Sequence, residues 1–128
     1  MEGGTGRCLC GNVRYTFQGV PNWQAHCHCE SCRRVTASPF TSYLGVSHGS
    51  WRWTGATPAT FASSPGVRRH FCPSCGSPMA YEGDRWAHEI HFFAATLDDP
   101  AAFRPTAHVN WNEHLPWVRL ADGLPVRY

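Results

Sequence analysis

The chain's 7 cysteines stand in three tight groups, Cys8-Leu-Cys10, Cys27-His-Cys29-Glu-Ser-Cys32 and Cys72-Pro-Ser-Cys75-Gly76. Thiols at these spacings are metal ligands before they are anything else. Four thiolates close a tetrahedral zinc site, whereas three leave one position open, and an open position is where a metal does chemistry. The odd count argues against a framework built only of disulfides. In a reducing compartment clustered cysteines bind metal more often than they pair. Spacing leaves the grouping open. Cys29 and Cys32 could join Cys72 and Cys75 as in a zinc ribbon, across a long intervening segment, or Cys8 and Cys10 could join Cys72 and Cys75 and free the triplet.

These groups need strands and turns to hold them. Residues 12–18 alternate, with Val13, Tyr15 and Phe17 on one side and Arg14 and Thr16 on the other, the pattern of a half-buried strand. Cys29 to Val35 reads as a short helical turn. Residues 39–46, 51–53, 57–62 and 79–81 read as short strands, with 67–71 leading into the Cys72 pair. The stretch 86–95 is the longest apolar-rich strand, 98–103 a short helix opened by Pro100, and 116–120 a last strand. Ser63-Ser-Pro-Gly66 is a turn. No repeat, linker or low-complexity stretch interrupts 1–128. The expectation is one mainly β domain with short helical turns.

Composition narrows the chemistry. The 11 basic residues are all arginine. Without lysine there is no Schiff base, hence no pyridoxal phosphate or class I aldolase chemistry. A net charge of +2 and the lack of an extended basic stripe argue against a nucleic-acid partner. No basic start followed by an apolar run marks a signal peptide, and no apolar run approaches the roughly 18 residues of a membrane span. A cytoplasmic protein is expected. All-arginine usage is also the habit of GC-rich bacterial genomes.

Three linked stretches carry a resemblance: Gly6-Arg-Cys8-Leu-Cys10-Gly11-Asn-Val13-Arg-Tyr15, Cys27-His28-Cys29-Glu-Ser-Cys32-Arg33, and Arg69-His-Phe71-Cys72-Pro-Ser-Cys75-Gly76. Together they resemble the glutathione-dependent formaldehyde-activating enzyme family, also called the centromere-protein-V-like domain family. His108-Val-Asn-Trp111 and Leu115-Pro116-Trp117 resemble its C-terminal segment. The resemblance implies a β-tent fold of small antiparallel sheets built around zinc. It implies that Cys8, Cys10, Cys72 and Cys75 hold a structural zinc and that Cys27, Cys29 and Cys32 hold a second, catalytic one. The chain is a compact member, with little room for insertions.

A zinc ion on three thiolates carries a formal charge of −1 and is a poor Lewis acid beside a three-histidine site. Delivery of a thiolate therefore suits it better than activation of water: a thiol taking the fourth position loses its proton to leave a nucleophile at neutral pH. That fits glutathione adding to formaldehyde to give S-hydroxymethylglutathione, a carbon–sulfur lyase activity. A small thiol and an aldehyde are the expected partners. The alternatives are a second closed site completed by His26, His28 or another side chain, three reduced cysteines with weak, partial metal occupancy, a non-catalytic two-zinc binding module, and a thiol redox sensor.

Arg33, directly after the triplet, is the candidate to offset its charge or to bind glutathione carboxylates; Arg34 is a weaker one. Arg69, just before the Cys72 pair, suggests a structural role beside that zinc. His88 and His91 are three apart in a strand-like run rather than four apart on a helix, so they are expected on opposite faces with no shared metal. His108, Trp111, His114 and Trp117 could wall a pocket, with packing the expected role of the tryptophans.

Overall fold

The computed structural model describes Met1–Tyr128. Its elements, in chain order, are β1 (Gly4–Arg7), β2 (Arg14–Phe17), β3 (Trp23–Cys27), α1 (Glu30–Thr36), β4 (Thr41–Ser47), β5 (Trp51–Trp53), β6 (Ala59–Ser64), β7 (Val67–Phe71), β8 (Pro78–Gly83), β9 (Glu89–Phe93) and β10 (His108–Val109). Single turns of 3-10 helix follow β8, β9 and β10. The chain is mainly β with short helical elements, as expected. No helix is long and apolar enough to cross a membrane.

The strands make two sheets. One has three strands in the order β1-β2-β5, and the other seven in the order β10-β3-β4-β9-β8-β7-β6. Every pair is antiparallel except β10 with β3. The alternation at 12–18 makes β2 the inner wall of the small sheet, because Val13, Tyr15 and Phe17 are buried while Arg14 is exposed. They pack against Leu44, Val46, Ile90 and Phe92 of the larger sheet, and Cys8 and Cys72 belong to the same apolar cluster. Tyr15 stacks on Phe92 with ring centroids 4.0 Å apart.

Side chains alternate across a strand, so the opposite face of the large sheet presents the other half of β4 and β9. There Tyr43 and Phe93 cluster with Cys27 and Cys32, and Trp23, Tyr81 and Val109 pack against them. All five residues of β9 are buried, because both faces of that strand are covered. The two cysteine groups thus belong to separate cores.

Four boundaries differ from the sequence reading. The apolar run 86–95 is strand only at Glu89–Phe93, and 3-10 turns at Asp84–Trp86 and Ala94–Thr96 flank it. The helix expected at 98–103 is one 3-10 turn, Pro100–Ala102. Residues 116–120 are not a strand: Val118 N–H turns back to the Leu115 carbonyl at 3.0 Å, and Trp117 is 65% exposed. The C-terminal pairing is instead β10, which also bridges Val126. Finally, β1 and β3 are strands where none was read.

Candidate metal centre

The Sγ atoms of Cys8, Cys10, Cys72 and Cys75 lie within 4.8 Å of one another, and those of Cys27, Cys29 and Cys32 form a second group of the same compactness. In the first group Cys8 and Cys10 are 3.5 Å apart and Cys10 and Cys72 are 3.7 Å apart. A tetrahedral zinc with bonds of about 2.3 Å has sulfur–sulfur edges of about 3.8 Å, so four thiolates here fit that ion.

Backbone builds this corner. Val13 N–H donates to Cys8 Sγ at 3.3 Å, and Ser74 and Cys75 N–H donate to Cys72 Sγ at 3.4 and 3.5 Å. Gly76 closes the turn at φ 78°, with its N–H on the Cys72 carbonyl at 2.8 Å. A residue with a Cβ is strained there. Ser77 Oγ accepts the Leu9 N–H at 3.0 Å and ties the two loops together.

The triplet is built differently. Cys27 ends β3, and Cys29 is the N-cap of α1, its Sγ accepting the Cys32 N–H at 3.3 Å. Side chains from distant elements reach the other sulfurs. Tyr43 O–H donates to Cys32 Sγ at 3.5 Å, and Asn110 Nδ2 donates to Cys27 Sγ at 3.2 Å. Cys27 and Cys32 are 4.0 Å apart, near a tetrahedral edge, whereas Cys29 and Cys32, at 2.8 Å, would open on binding an ion. Without metal the Cys27 and Cys29 thiols and the Tyr43 hydroxyl all point their donors at Cys32 Sγ. Hydrogen bonds from Cys27 and then Cys29 draw its thiol down to about 2 against the cost of burial, with Tyr43 and the Arg69 guanidinium adding to the effect. The same hydrogen bonds, to Cys29 and then Cys32, push Cys27 far up.

Of the two cysteine groups only the triplet opens onto a cavity of about 540 Å³, in which Tyr43, Tyr81, Trp23, Trp86 and Asn110 join the three cysteines. None of the other four cysteines lines it. Arg69 does, which corrects the reading of it as a brace for the Cys72 pair: β7 turns it to the other core, and its guanidinium lies 5.2 Å from the Tyr81 ring centroid. His91 also lines the cavity, and burial pushes it below the usual histidine range while Glu89 opposes that shift.

His88 and His91 share a carboxylate. Their Nε2 atoms lie 2.7 and 2.8 Å from the two oxygens of buried Glu89, His91 off the hydrogen-bonding angle, and Trp23 Nε1 donates to the same group. Gly45 permits this, since a Cβ there would overlap both the Trp23 indole and the Glu89 carboxylate.

Neither histidine proposed as a fourth ligand joins the triplet. His26 Nδ1 pairs with Ser42 Oγ at 2.8 Å. His28, 0% exposed, pairs through Nε2 with His108 Nδ1 at 2.9 Å, and His108 Nε2 reaches Asp122 Oδ2 at 2.8 Å. Burial, then the neighbouring His108, pushes His28 down to about 4. Phe40 and Trp111 pack on His28, and His114 stacks on Trp111 at 3.9 Å. This aromatic block backs the Cys27-His28-Cys29 loop rather than walling the cavity. Arg34 is exposed and 3.7 Å from Glu30. Arg33 lies on α1 outside the cavity lining, its Nε buried without a partner.

The sequence reading passed over Tyr43, Asn110, Tyr81 and Trp23 as site residues, and weighed His91 only as half of a metal pair with His88. For Asn110 there was a signal, its place within the family-like His108-Val-Asn-Trp111. The others depend on strand pairing that brings β3, β4, β8 and β9 side by side.

Among curated proteins none matches the chain. A solved structure, the crystal structure of a Rhodobacter sphaeroides protein from the Northeast Structural Genomics effort, aligns with a TM-score of 0.63 over 95% of this chain and 98% of that one, at 16% identity. That likeness is one of fold. The family model for the glutathione-dependent formaldehyde-activating enzyme matches residues 4–113, from β1 to the turn after β10. With both cysteine groups inside that span, the chain belongs to the glutathione-dependent formaldehyde-activating enzyme family.

Proposed function

We propose that this protein is a zinc-dependent carbon–sulfur lyase that joins a small thiol, glutathione among them, to formaldehyde or a related aldehyde. One observation carries the reading: three converging thiols form part of the wall of an aromatic-lined cavity, while the other four thiols are grouped away from it. In this reading Cys8, Cys10, Cys72 and Cys75 hold a structural zinc, and Cys27, Cys29 and Cys32 hold a catalytic one. Bound zinc supplies a fourth position that acidifies an incoming thiol.

The chain's own residues prepare that position. Tyr43 and Asn110 hold the sulfurs of Cys32 and Cys27 by directed hydrogen bonds, which fixes the orientation of the ligands. Trp23, Tyr43, Tyr81 and Trp86 give the cavity largely apolar walls, which strengthen the electrostatic interactions beside them. Arg33, behind the lining, offsets part of the triplet's charge. The net reaction forms one S–C bond and breaks the carbonyl π bond; the thiol proton ends on the former carbonyl oxygen, and nothing is oxidised.

Bound zinc and formaldehyde consumption, measured with and without glutathione in the wild type and in Cys29→Ser, test this reading. Two zinc ions falling to one, with loss of the thiol-dependent rate, are expected. A wild-type rate no higher than the uncatalysed one ends the assignment for this substrate pair.

The short Cys29–Cys32 approach, 2.8 Å, supports a second reading as a redox sensor in which these two thiols oxidise to a disulfide once metal leaves. Counting free thiols after peroxide treatment, with and without zinc, separates the two.

A further inference from the structure

Arg69 is 8% exposed, and no carboxylate of the chain pairs with it. Its Nε donates to Ser63 Oγ at 3.1 Å, and the guanidinium stacks over Tyr81. Those two contacts fix the plane of the group. Neither terminal nitrogen makes a hydrogen bond, and Nη1 is buried. A buried cation with unmet donors is costly to keep. The cavity that Arg69 lines contains no aspartate or glutamate, and its one other cation is Arg85, exposed and stacked on Trp86 at 5.2 Å. Arg69 lies near enough to Cys32 for its charge to act there, but that attraction does not meet the hydrogen-bonding demand of Nη1.

We propose that Arg69 anchors the carboxylate of the thiol substrate, so that the site selects thiols whose sulfur and carboxylate fit together in this one cavity and disfavours neutral thiols. The inference rests on the triplet being thiol-accepting and adds what chooses the thiol. A planar guanidinium held by Ser63 and Tyr81 presents the fork that matches a carboxylate, which a lysine cannot reproduce. The aromatic walls take the body of the molecule between its two ends.

The test is calorimetric binding of 3-mercaptopropionate and of 2-mercaptoethanol to the zinc-loaded protein, in the wild type, Arg69→Gln and Arg69→Lys. A charge-assisted hydrogen bond lost from one ligand and not the other corresponds to about tenfold or more in relative affinity. The wild type is expected to prefer 3-mercaptopropionate by that factor. Arg69→Gln should bring the ratio near one, and Arg69→Lys should lower it several-fold. Equal weakening of both thiols in Arg69→Gln would show a residue that only balances the triplet's charge, and overturn the proposal. So would an unchanged ratio. If Arg69→Gln fails to fold, the Arg69→Lys ratio decides by the same criterion. A third probe, butyrate, separates this inference from the reading beneath it. If neither thiol binds the wild type, the thiol-accepting reading fails. Butyrate binding that is lost in the Arg69 variant then still supports the carboxylate site, and no butyrate binding removes it.

Discussion

The two cysteine groups of this protein use the same ligand chemistry and are built in opposite ways. Around Cys8, Cys10, Cys72 and Cys75 the donors to sulfur are mostly backbone N–H groups of Val13, Ser74 and Cys75. Around Cys27, Cys29 and Cys32 they include the side chains of Tyr43 and Asn110, from separate elements. Backbone donors come with the turn and do not depend on which side chain stands there. Side-chain donors can be changed one at a time without disturbing the fold. The first arrangement suits a corner that must only hold, and the second suits a centre whose reactivity is set by its surroundings.

The sharpest way to break this comparison is to remove one thiol from each group. A structural zinc contributes about 10–16 kcal/mol in apparent terms, as much as the whole stability of a domain, about 5–15 kcal/mol. Cys72 is fully buried in the main core. Cys72→Ser is therefore expected to yield an unfolded or aggregating chain, whereas Cys29→Ser stays folded with one metal fewer. Circular dichroism and metal content check both. An unfolded Cys29→Ser beside a folded Cys72→Ser would reverse the assignment of holding and working sites.

Removing the side-chain donors is gentler. Tyr43→Phe and Asn110→Ala each take one hydrogen bond from a triplet sulfur. Loss of such a partner lowers metal affinity about 10- to 100-fold. Chelator competition should show that drop for one metal and none for the other. If both ions weaken together, the two sites are coupled through the large sheet.

Gly45→Ala tests the cavity floor. The new methyl meets the Trp23 indole and the Glu89 carboxylate, and crowding of this kind costs about 1–3 kcal/mol. Thermal unfolding should fall accordingly. Thiol binding should fall with it, because Trp23 lines the cavity.

How legible each region was follows the same division. The cysteine groups and the alternation of Val13, Tyr15 and Phe17 could be read because their information is local: a spacing of one or two residues, a period of two. The helical turn after Cys29 was also local, its cap being a cysteine of the triplet. What could not be read is whatever depends on two strands meeting. Tyr43 looked like an ordinary strand residue until β4 was set between β3 and β9. Arg69 looked like part of the Cys72 pair because it is near in sequence, but β7 turns it to the other face. β3 itself was hidden because its alternation, Trp23, Ala25 and Cys27 against Gln24 and His26, runs straight into the cysteine motif. The buried run of β9 read as longer than it is, since an apolar stretch does not show where a strand gives way to a 3-10 turn.

The smallest effect is expected at the far end of the chain, and it asks how much the triplet owes to residues outside the family match, which ends at residue 113. Asp122 accepts from His108 Nε2, and His108 in turn pairs with His28. A carboxylate on Nε2 keeps a proton on that nitrogen. In the neutral ring this leaves Nδ1 bare, and the contact between the histidines is then a donation from His28 Nε2. Asp122 thereby sets the tautomer of His108 and, through it, the rotation of the ring between Cys27 and Cys29. Asp122→Asn still offers an oxygen, so stability should change little. Metal affinity at the triplet should fall by less than in Tyr43→Phe, and affinity at the four-cysteine corner should not move. Asp122→Leu, which offers no acceptor, should do more on all but the last count. If Asp122→Leu leaves the triplet's affinity at the wild-type value, the ring is held by Phe40 and Trp111 packing alone, and the difference between the two centres ends at the sulfurs.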